Sequence, residues 1–197
     1  MSLAKIFNQS ILLLQGPVGS FFKHLAQDLE QQGNQVYKIN FNGGDSFFYP
    51  DGVCYNGTMS EFPLFLEQFI TKRQIQIVML FGDCRPIHKL AFSVVKQFEI
   101  QWFVFEEGYL RPNHITLEED GVNGFSKLPQ VASYYLDQNT PQHTLPTDRE
   151  VGRTFWCAAW LAAQYYFFAT LNKAQFKHYQ HHRPLTILEL LPWVRSA

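Results

Sequence analysis

Residues 11–19 read Ile11-Leu12-Leu13-Leu14-Gln15-Gly16-Pro17-Val18-Gly19, an apolar run that ends in a turn with two glycines. Apolar residues then recur at helical spacing up to Gly33, and they are Phe21, Phe22, Leu25, Ala26 and Leu29. A short buried strand, a glycine turn and an amphipathic helix in this order indicate the start of an alternating α/β chain. The stretch therefore predicts a strand at 11–14 and a helix from about residue 21.

The same alternation continues to about residue 105. Apolar runs predict further strands at 36–41, 52–55, 76–81 and 100–105, and helical spacing predicts helices at about 60–70 and 87–98. Strands that alternate with helices are typical of a parallel sheet whose two faces are covered by helices. We therefore predict an α/β fold that is built on a parallel sheet flanked by helices.

The composition of the chain changes after residue 128. Residues 129–150 are mostly polar and contain Pro129, Pro141 and Pro146, which is typical of a linker. A strongly apolar and aromatic stretch follows at 154–171. We predict a first domain over 1–128, a linker over 129–150 and a helical extension over 151–197.

Three interpretations of the stretch 154–171 stay open. It has roughly the length of a helix that spans a bilayer, but it contains Gln164, two tryptophans and two tyrosines. It is a helix packed between domains, a helix that lies at a membrane interface, where Trp, Tyr and basic flanks are favoured, or a true span. We favour the first of these interpretations.

The composition argues against some classes of partner and compartment. The net charge is -1 and the pI is about 6.6, so the chain has no general basic field that would hold nucleic acid. Its three cysteines, Cys54, Cys84 and Cys157, are widely spaced and odd in number. This predicts no disulfide framework and favours a reducing, cytoplasmic compartment. We expect no secretory signal in the first ten residues.

Four polar or glycine-rich motifs follow predicted strands. Because ligands bind at the carboxyl ends of the strands in an open parallel sheet, we expect these motifs to meet at one crevice. Glycines allow a ligand to approach the backbone, Asn and Asp suit sugar hydroxyls, and Arg or His suits a phosphate or carboxylate. Structural roles stay open, namely tight turns and an ion pair between Asp83 and Arg85. The candidate substrate-binding residues of the first three motifs are Gly16, Pro17, Gly19, Asn42, Asp45, Asp83, Arg85 and His88.

The fourth motif begins with Glu106 and Glu107 and ends in Arg111-Pro112. A carboxylate at the end of a buried strand costs free energy unless it is paired or used in chemistry. We interpret Glu106 and Glu107 as candidate catalytic carboxylates, and a structural pair with Arg111 as the alternative. Since adjacent residues of a strand point to opposite sides, we expect only one of the two glutamates to enter the crevice.

Two other polar clusters receive plainer interpretations. The acidic run at 118–120 is interpreted as a solvated surface. His178, His181 and His182 are not joined by a Cys or carboxylate at ligand spacing, so we predict no metal site there.

Four stretches of the chain, in order, carry a family resemblance. They are L-L-L-Q-G-P-V-G-S-F-F, K-I-N-F-N-G-G-D, L-F-G-D-C-R-P-I-H and F-E-E-G-Y-L-R-P-N-H-I-T-L-E-E-D-G-V-N-G-F-S. Together with the apolar helix and H-H-R-P-L, they resemble the capsule polysaccharide biosynthesis proteins of the KpsS/LipB type. The resemblance covers roughly residues 10–195.

The resemblance implies a retaining β-Kdo glycosyltransferase, in which Kdo is 3-deoxy-D-manno-octulosonic acid. The implied reaction transfers Kdo from CMP-Kdo to a phosphatidylglycerol lipid and so starts the linker of the capsule polysaccharide. The implied fold is the first Rossmann-like domain of a GT-B-like enzyme. The implied place is the cytoplasmic face of the inner membrane of Gram-negative bacteria, where the protein is peripheral. The partners are CMP-Kdo, a glycerophospholipid acceptor, the inner-membrane surface and other capsule assembly and export proteins, with no nucleic acid, metal or cofactor.

The resemblance also implies roles for individual residues. Related Kdo transferases carry E-D-G-F, with an acidic nucleophile, where this chain has E-E-G-Y, and this implies that Glu107 is the nucleophile. A carboxylate that forms a covalent adduct with the sugar is the simplest route to retention. Arg85, Arg111 and His88 are then implied to stabilise the departing phosphate or to hold the Kdo carboxylate.

Members of this family are about twice as long as this chain, and their second domain would hold most of the nucleotide. We therefore expect the chain to be inactive by itself. Two other functions stay open. One is a non-catalytic glycolipid-binding or assembly protein in capsule export, and the other is a hydrolase that uses Glu106 or Glu107.

Overall fold

The computed structural model describes residues 6–108, 114–136 and 154–180, which build a six-stranded sheet in the order β3-β2-β1-β4-β5-β6. Strands β1 to β5 pair in parallel, whereas β6 pairs with β5 in the antiparallel sense. The α/β class with a Rossmann-like sheet is confirmed, with the correction that one edge strand is antiparallel. The strands are β1 (Ser10–Leu13), β2 (Gln35–Asn40), β3 (Val53–Cys54), β4 (Ile77–Phe81), β5 (Gln101–Glu107) and β6 (Ile115–Glu119).

Helices accompany the sheet at positions that local sequence explains. Helix α1 is followed by Gly33, which adopts φ +84°, and α3 and α4 each have a proline in the first turn. A short 3-10 helix lies at Asn123–Phe125. The helices are α1 (Phe21–Gln31), α2 (Gly43–Phe48), α3 (Phe62–Arg73), α4 (Pro86–Gln97), α5 (Ala132–Leu136) and α6 (Phe155–Leu171).

Two apolar layers sandwich the central strands. On one face, Phe22, Ala26 and Leu29 of α1 pack on alternate residues of β1, β4 and β5. On the other face, the apolar sides of α3 and α4 pack on the remaining alternate residues. Because β1 is central, all four of its residues are buried. This double coverage explains why its sequence is a continuous apolar run.

Helix α2, strand β6, the 3-10 helix and helix α5 were not predicted from the sequence. Helix α2 begins with Gly43-Gly44, a pair that does not predict a helix, and the Asn42 side chain caps it by accepting a hydrogen bond from the Asp45 N–H at 3.0 Å. Strand β6 ends in the acidic run that was interpreted as solvated surface. Glu119 is indeed exposed, but the run continues the sheet edge beside β5.

The C-terminal part of the described chain carries two helices. Helix α5 lies inside the predicted linker, whose residues 137–150 are outside the described part. Helix α6 coincides with the predicted apolar helix. Among the helices described, none combines the length and the apolar content that a bilayer crossing requires.

Candidate functional site

An open cleft of about 620 Å³ lies at the carboxyl ends of β1, β4 and β5. Strand order reverses between β1 and β4, so the cleft occupies the switch point where open α/β sheets bind ligands. Of the predicted site residues, the structure brings together five at this cleft. Its lining consists of Gly16, Pro17, Val18, Phe81, Gly82, Cys84, Arg85, Glu106, Glu107, Tyr165 and Tyr166.

The loops after β1 and β4 are tied to each other across the switch point. The Arg85 side chain donates a hydrogen bond from Nη1 to the carbonyl oxygen of Gly16 at 3.1 Å. Gly16 has no room for a side chain, because a Cβ there would lie 2.8 Å from the Phe22 ring. Gly82 adopts φ +73°, which favours glycine. The backbone of both loops is therefore held at the floor of the cleft.

Glu106 and Glu107 both line the cleft, so the expectation that only one of them enters is wrong. The Glu106 carboxylate folds back onto the strand end, where Oε1 accepts the Glu107 N–H at 2.9 Å. Its Oε2 lies 3.5 Å from the Asn123 Nδ2 donor. Glu106 is half-buried, whereas Glu107 is exposed. The exposed carboxylate is the better placed of the two to reach a ligand.

Arg111, a candidate for the donor phosphate or carboxylate and in the alternative interpretation the partner of the glutamates, lies outside the described residues. Gly19 adopts φ +104° just before α1 and lies near Leu161 of α6 and away from the cleft lining. The turn role that was left open for it therefore fits its position.

Asp83 and His88 point away from this cleft. Asp83 Oδ2 accepts the Val122 N–H at 3.1 Å, which ties the loop after β4 to the segment after β6. His88 is fully buried, with Nδ1 2.5 Å from the Gly82 carbonyl oxygen. Both line a separate, mainly apolar cavity of about 200 Å³ beside Trp102. The prediction that His88 faces an anion at the crevice is corrected, because its ring supports the Gly82 turn from inside.

Asn42 and Asp45 are also corrected, because they lie inside the protein and outside the cleft lining. Asn42 caps α2, and Asp45 Oδ2 accepts the Phe41 N–H at 3.0 Å. The Asp45 Oδ1 atom accepts a hydrogen bond from the Tyr165 hydroxyl at 3.1 Å. Their polar atoms thus fix α2 and α6 and do not face a sugar.

A buried polar network centred on Tyr165 was not anticipated from the sequence. The Tyr165 hydroxyl also accepts from Asn42 Nδ2 at 2.7 Å and from Gln15 Nε2 at 3.2 Å. Tyr179 donates its hydroxyl to Gln15 Oε1 at 2.9 Å. The one available signal was Gln15, a polar residue directly after the apolar run at 11–14. Its partners are about 150 residues away, so local patterns could not identify them.

Burial shifts the pKa values of three ionisable side chains in and near this network. Desolvation lowers the pKa of Lys38 to about 8, although the nearby Asp45 carboxylate opposes the shift. Desolvation raises the pKa of Tyr179 to about 12 and that of Tyr165 well above its ordinary value. Both tyrosines therefore keep their hydroxyl protons at neutral pH and can donate the hydrogen bonds described above.

Helix α6 rests directly on α2, where Gly43 and Gly44 provide the space. A Cβ on Gly43 would lie 2.1 Å from the Phe168 carbonyl oxygen, and one on Gly44 would lie 2.5 Å from the Tyr165 ring. The ring of Phe168 stacks on Phe47 at a centroid distance of 3.9 Å. Gly43 and Gly44 thus provide the surface on which α6 packs.

Comparison with known proteins gives consistent matches along the chain. A family model described as capsule polysaccharide biosynthesis protein matches residues 76–194. The chain is 42% identical over 195 residues to the capsule polysaccharide modification protein LipB of Neisseria meningitidis serogroup B, covering 95% of this chain and 46% of that protein. It is 37% identical over 194 residues to the capsule polysaccharide export protein KpsS of Escherichia coli, covering 94% and 48%. The chain spans about half the length of these curated relatives.

One solved structure is similar only in part. The UDP-GlcNAc 2-epimerase from Methanocaldococcus jannaschii aligns with a TM-score of 0.40 and 17% identity, over 52% of this chain and 32% of that chain. A likeness of this size supports no statement about ligand or activity.

Proposed function

Because the chain belongs to the family of capsule polysaccharide biosynthesis proteins, we propose that its cleft contributes to the transfer of Kdo from CMP-Kdo to a phosphatidylglycerol-type lipid with retention. This reaction would start the linker of the capsule polysaccharide. The family resemblance inferred from the four sequence stretches is confirmed by the matches, and the transfer reaction is the proposal.

One observation carries the proposal. An exposed carboxylate, Glu107, lies in an open cleft at the switch point of the sheet, and the Arg85 guanidinium lines the same cleft. A carboxylate and a fixed cation are the two groups that the simplest route to retention from an anionic donor would use. The guanidinium has five N–H donors, and only one of them is needed for the bond to Gly16.

The proposed reaction has two displacement steps. In the first, a Glu107 oxygen attacks the anomeric carbon, and the bond from that carbon to the phosphate oxygen breaks, so that CMP leaves with the electron pair. In the second, the lipid hydroxyl oxygen attacks the same carbon, its proton passes to a base, and the Glu107 carboxylate is released. Two inversions give retention. Arg85 would stabilise the charge on the departing phosphate. The leaving phosphate is already a stable anion, so the proposal requires no metal or cofactor.

A test of the function uses the donor and a full-length family member that carries the same cleft residues, because the second domain is expected to hold most of the nucleotide. We expect CMP-Kdo at millimolar concentration to give saturation-transfer NMR signals with the wild-type protein, and Arg85→Gln to weaken them. The Arg85 substitution removes the cation but keeps a hydrogen-bonding side chain, and Arg73→Gln, at the opposite end of the strands, is the matched control. An absence of donor signals with the wild-type protein would contradict the proposed sugar site.

The two alternative functions differ in what accumulates. A hydrolase that uses these glutamates would release free Kdo from CMP-Kdo without lipid, and chromatography of the products separates the two reactions. A glycolipid-binding or assembly protein would bind the lipid-linked acceptor and leave the donor intact. The exposed apolar face of α6 favours lipid contact, which both the transferase and the assembly protein need and the hydrolase does not.

Helix α6 also suits the proposed peripheral position at the inner membrane, together with a lipid acceptor, whereas the favoured interpretation of a helix packed between domains stays a prediction that the vesicle test below separates from it. Residues 154–180 contain no Asp or Glu but include Lys173 and Lys177, so this segment complements an anionic lipid surface. Its outward side chains are 62 to 75% exposed, and they are Phe155, Trp156, Trp160, Phe167 and Leu171. Tryptophan is favoured at the headgroup level of a bilayer.

Replacing both Trp156 and Trp160 with Gln is expected to weaken binding to vesicles that contain phosphatidylglycerol by about tenfold or more, because two large apolar side chains are removed. Co-sedimentation measures the bound fraction. Leu64→Gln is the control, since Leu64 is 60% exposed on α3. Equal binding of the double variant and the control would assign this face to a protein partner instead.

A further inference from the structure

Helix α6 forms one wall of the cleft, although it follows the last strand of the sheet by about 35 residues in sequence. The loops after β1, β4 and β5 supply the other walls. The two residues that α6 contributes are consecutive, Tyr165 and Tyr166. Neither was a candidate from the sequence, because both belonged to a stretch that was interpreted only as an apolar helix.

Tyr165 is immobilised by its surroundings. It is 5% exposed, its ring lies against Gly44, and three side chains are within hydrogen-bond distance of its hydroxyl. A side chain that is fixed at both its ring and its hydroxyl defines the position and the rotation of its helix. The residue that follows on α6 is therefore presented to the cleft in one orientation.

Tyr166 lies about 100° further around the helix than Tyr165. This rotation moves it from the buried side of α6 to the flank that faces the cleft. It is 36% exposed, and its ring stands at 87° to the Tyr165 ring with the centroids 5.5 Å apart. An exposed aromatic ring thus shares a cleft with Arg85, Glu106 and Glu107.

We propose that Tyr166 contacts the sugar ring of the bound donor and that Tyr165 is the positioning residue that holds it there. The assignment rests on the proposed function. A pyranose ring has an apolar C–H face that packs on an aromatic ring, and its hydroxyls bond to a phenol. With the carboxylates on another wall of the same cleft, the sugar would be enclosed between the group that attacks it and the ring that orients it.

Saturation-transfer NMR with CMP-Kdo and with CMP alone tests this contact in a full-length family member that carries the same two tyrosines and also the second domain. Tyr166→Ala is expected to weaken CMP-Kdo binding by about three- to tenfold, because an aromatic packing contact is lost. CMP binding is expected to stay the same, since the nucleotide does not touch this ring. Tyr166→Phe should retain most of the affinity for CMP-Kdo. Tyr135→Ala, which removes an exposed tyrosine on α5, is the control.

The possible outcomes test the Tyr166 assignment separately from the proposed transfer function. Binding of CMP-Kdo by the wild-type protein with no change in Tyr166→Ala would overturn the tyrosine assignment and leave the proposed function intact. Equal weakening of CMP and CMP-Kdo would also overturn it, because the ring would then contact the nucleotide. No donor binding by the wild-type protein would contradict both.

A double-mutant cycle tests the positioning role of Tyr165. Tyr165→Phe removes only the hydroxyl, and we expect it to weaken CMP-Kdo binding in the wild-type background but to have no further effect once Tyr166 is Ala. A purely structural role would give the same loss of affinity in both backgrounds. Thermal melting of each variant confirms that the comparison is made on folded protein.

Discussion

Replacing Glu107 with Gln is expected to lower Kdo transfer by at least about a thousandfold in a full-length family member that carries the same pair of glutamates. The amide keeps the size of the side chain, but it cannot form the covalent adduct that the two-step reaction requires. The measurement is the mass-spectrometric yield of Kdo-linked lipid from CMP-Kdo and a phosphatidylglycerol acceptor.

Two further variants make this result specific. Glu106→Gln is expected to have a smaller effect of about tenfold, because its carboxylate accepts the Glu107 N–H and so supports the neighbouring residue. Glu119→Gln, on β6 and away from the cleft lining, should be neutral. Full activity in the Glu107 variant with none in the Glu106 variant would move the nucleophile by one residue. Unchanged capsule export in cells with Glu107→Gln would favour the assembly function.

Replacing Gly43 with Ala is expected to detach α6 from its seat on α2. The added Cβ would lie 2.1 Å from the Phe168 carbonyl oxygen and 2.7 Å from the Asn172 Cβ, and one of these contacts is helix backbone that cannot rotate away. We expect a loss of roughly 2 kcal/mol in the free energy of unfolding, as for other overpacked sites. Hydrogen exchange of residues 155–171 should accelerate, and urea unfolding measures the stability.

Gly124→Ala is the matched control for this prediction. A Cβ at Gly124 would meet nothing within 4 Å, so the same chemical change is expected to leave stability and exchange unaltered. Similar behaviour of the two variants would show that α6 does not depend on the glycine pair. Because α6 carries Tyr165 and Tyr166, its detachment should also weaken donor binding at the cleft.

Much of the fold could be read from local pattern. The strand at β1, the helix α1 and the alternation up to β5 follow from apolar spacing and glycine stops, since each of these signals depends on neighbours within a few residues. The position of the cleft follows as well, because parallel strands bring their carboxyl ends to one edge. Gly16, Pro17 and Arg85 therefore met at the cleft as expected, and both Glu106 and Glu107 line it, where only one of them was expected.

The structural roles of other candidate residues could not be predicted from local sequence pattern. Asn42 and Asp45 have the chemistry of sugar ligands, but Tyr165 and Phe41 use their polar atoms inside the protein. His88 belongs to the third strand-end motif and was expected to face an anion, yet its ring is buried beneath Gly82. The direction of a side chain at the edge of a sheet depends on what covers that edge, and this is a long-range property.

The sequence by itself determined the layered α/β body, its switch-point cleft and its family, because these depend on periodicity and on ordered motifs along the chain. Only the tertiary structure decided that α6 packs on Gly43 and Gly44 of α2. This packing places two tyrosines of α6 at the cleft beside the carboxyl ends of the strands. The physical reason is that this packing joins residues 42–45 to residues 165–172, and no local pattern encodes a contact between segments more than 100 residues apart.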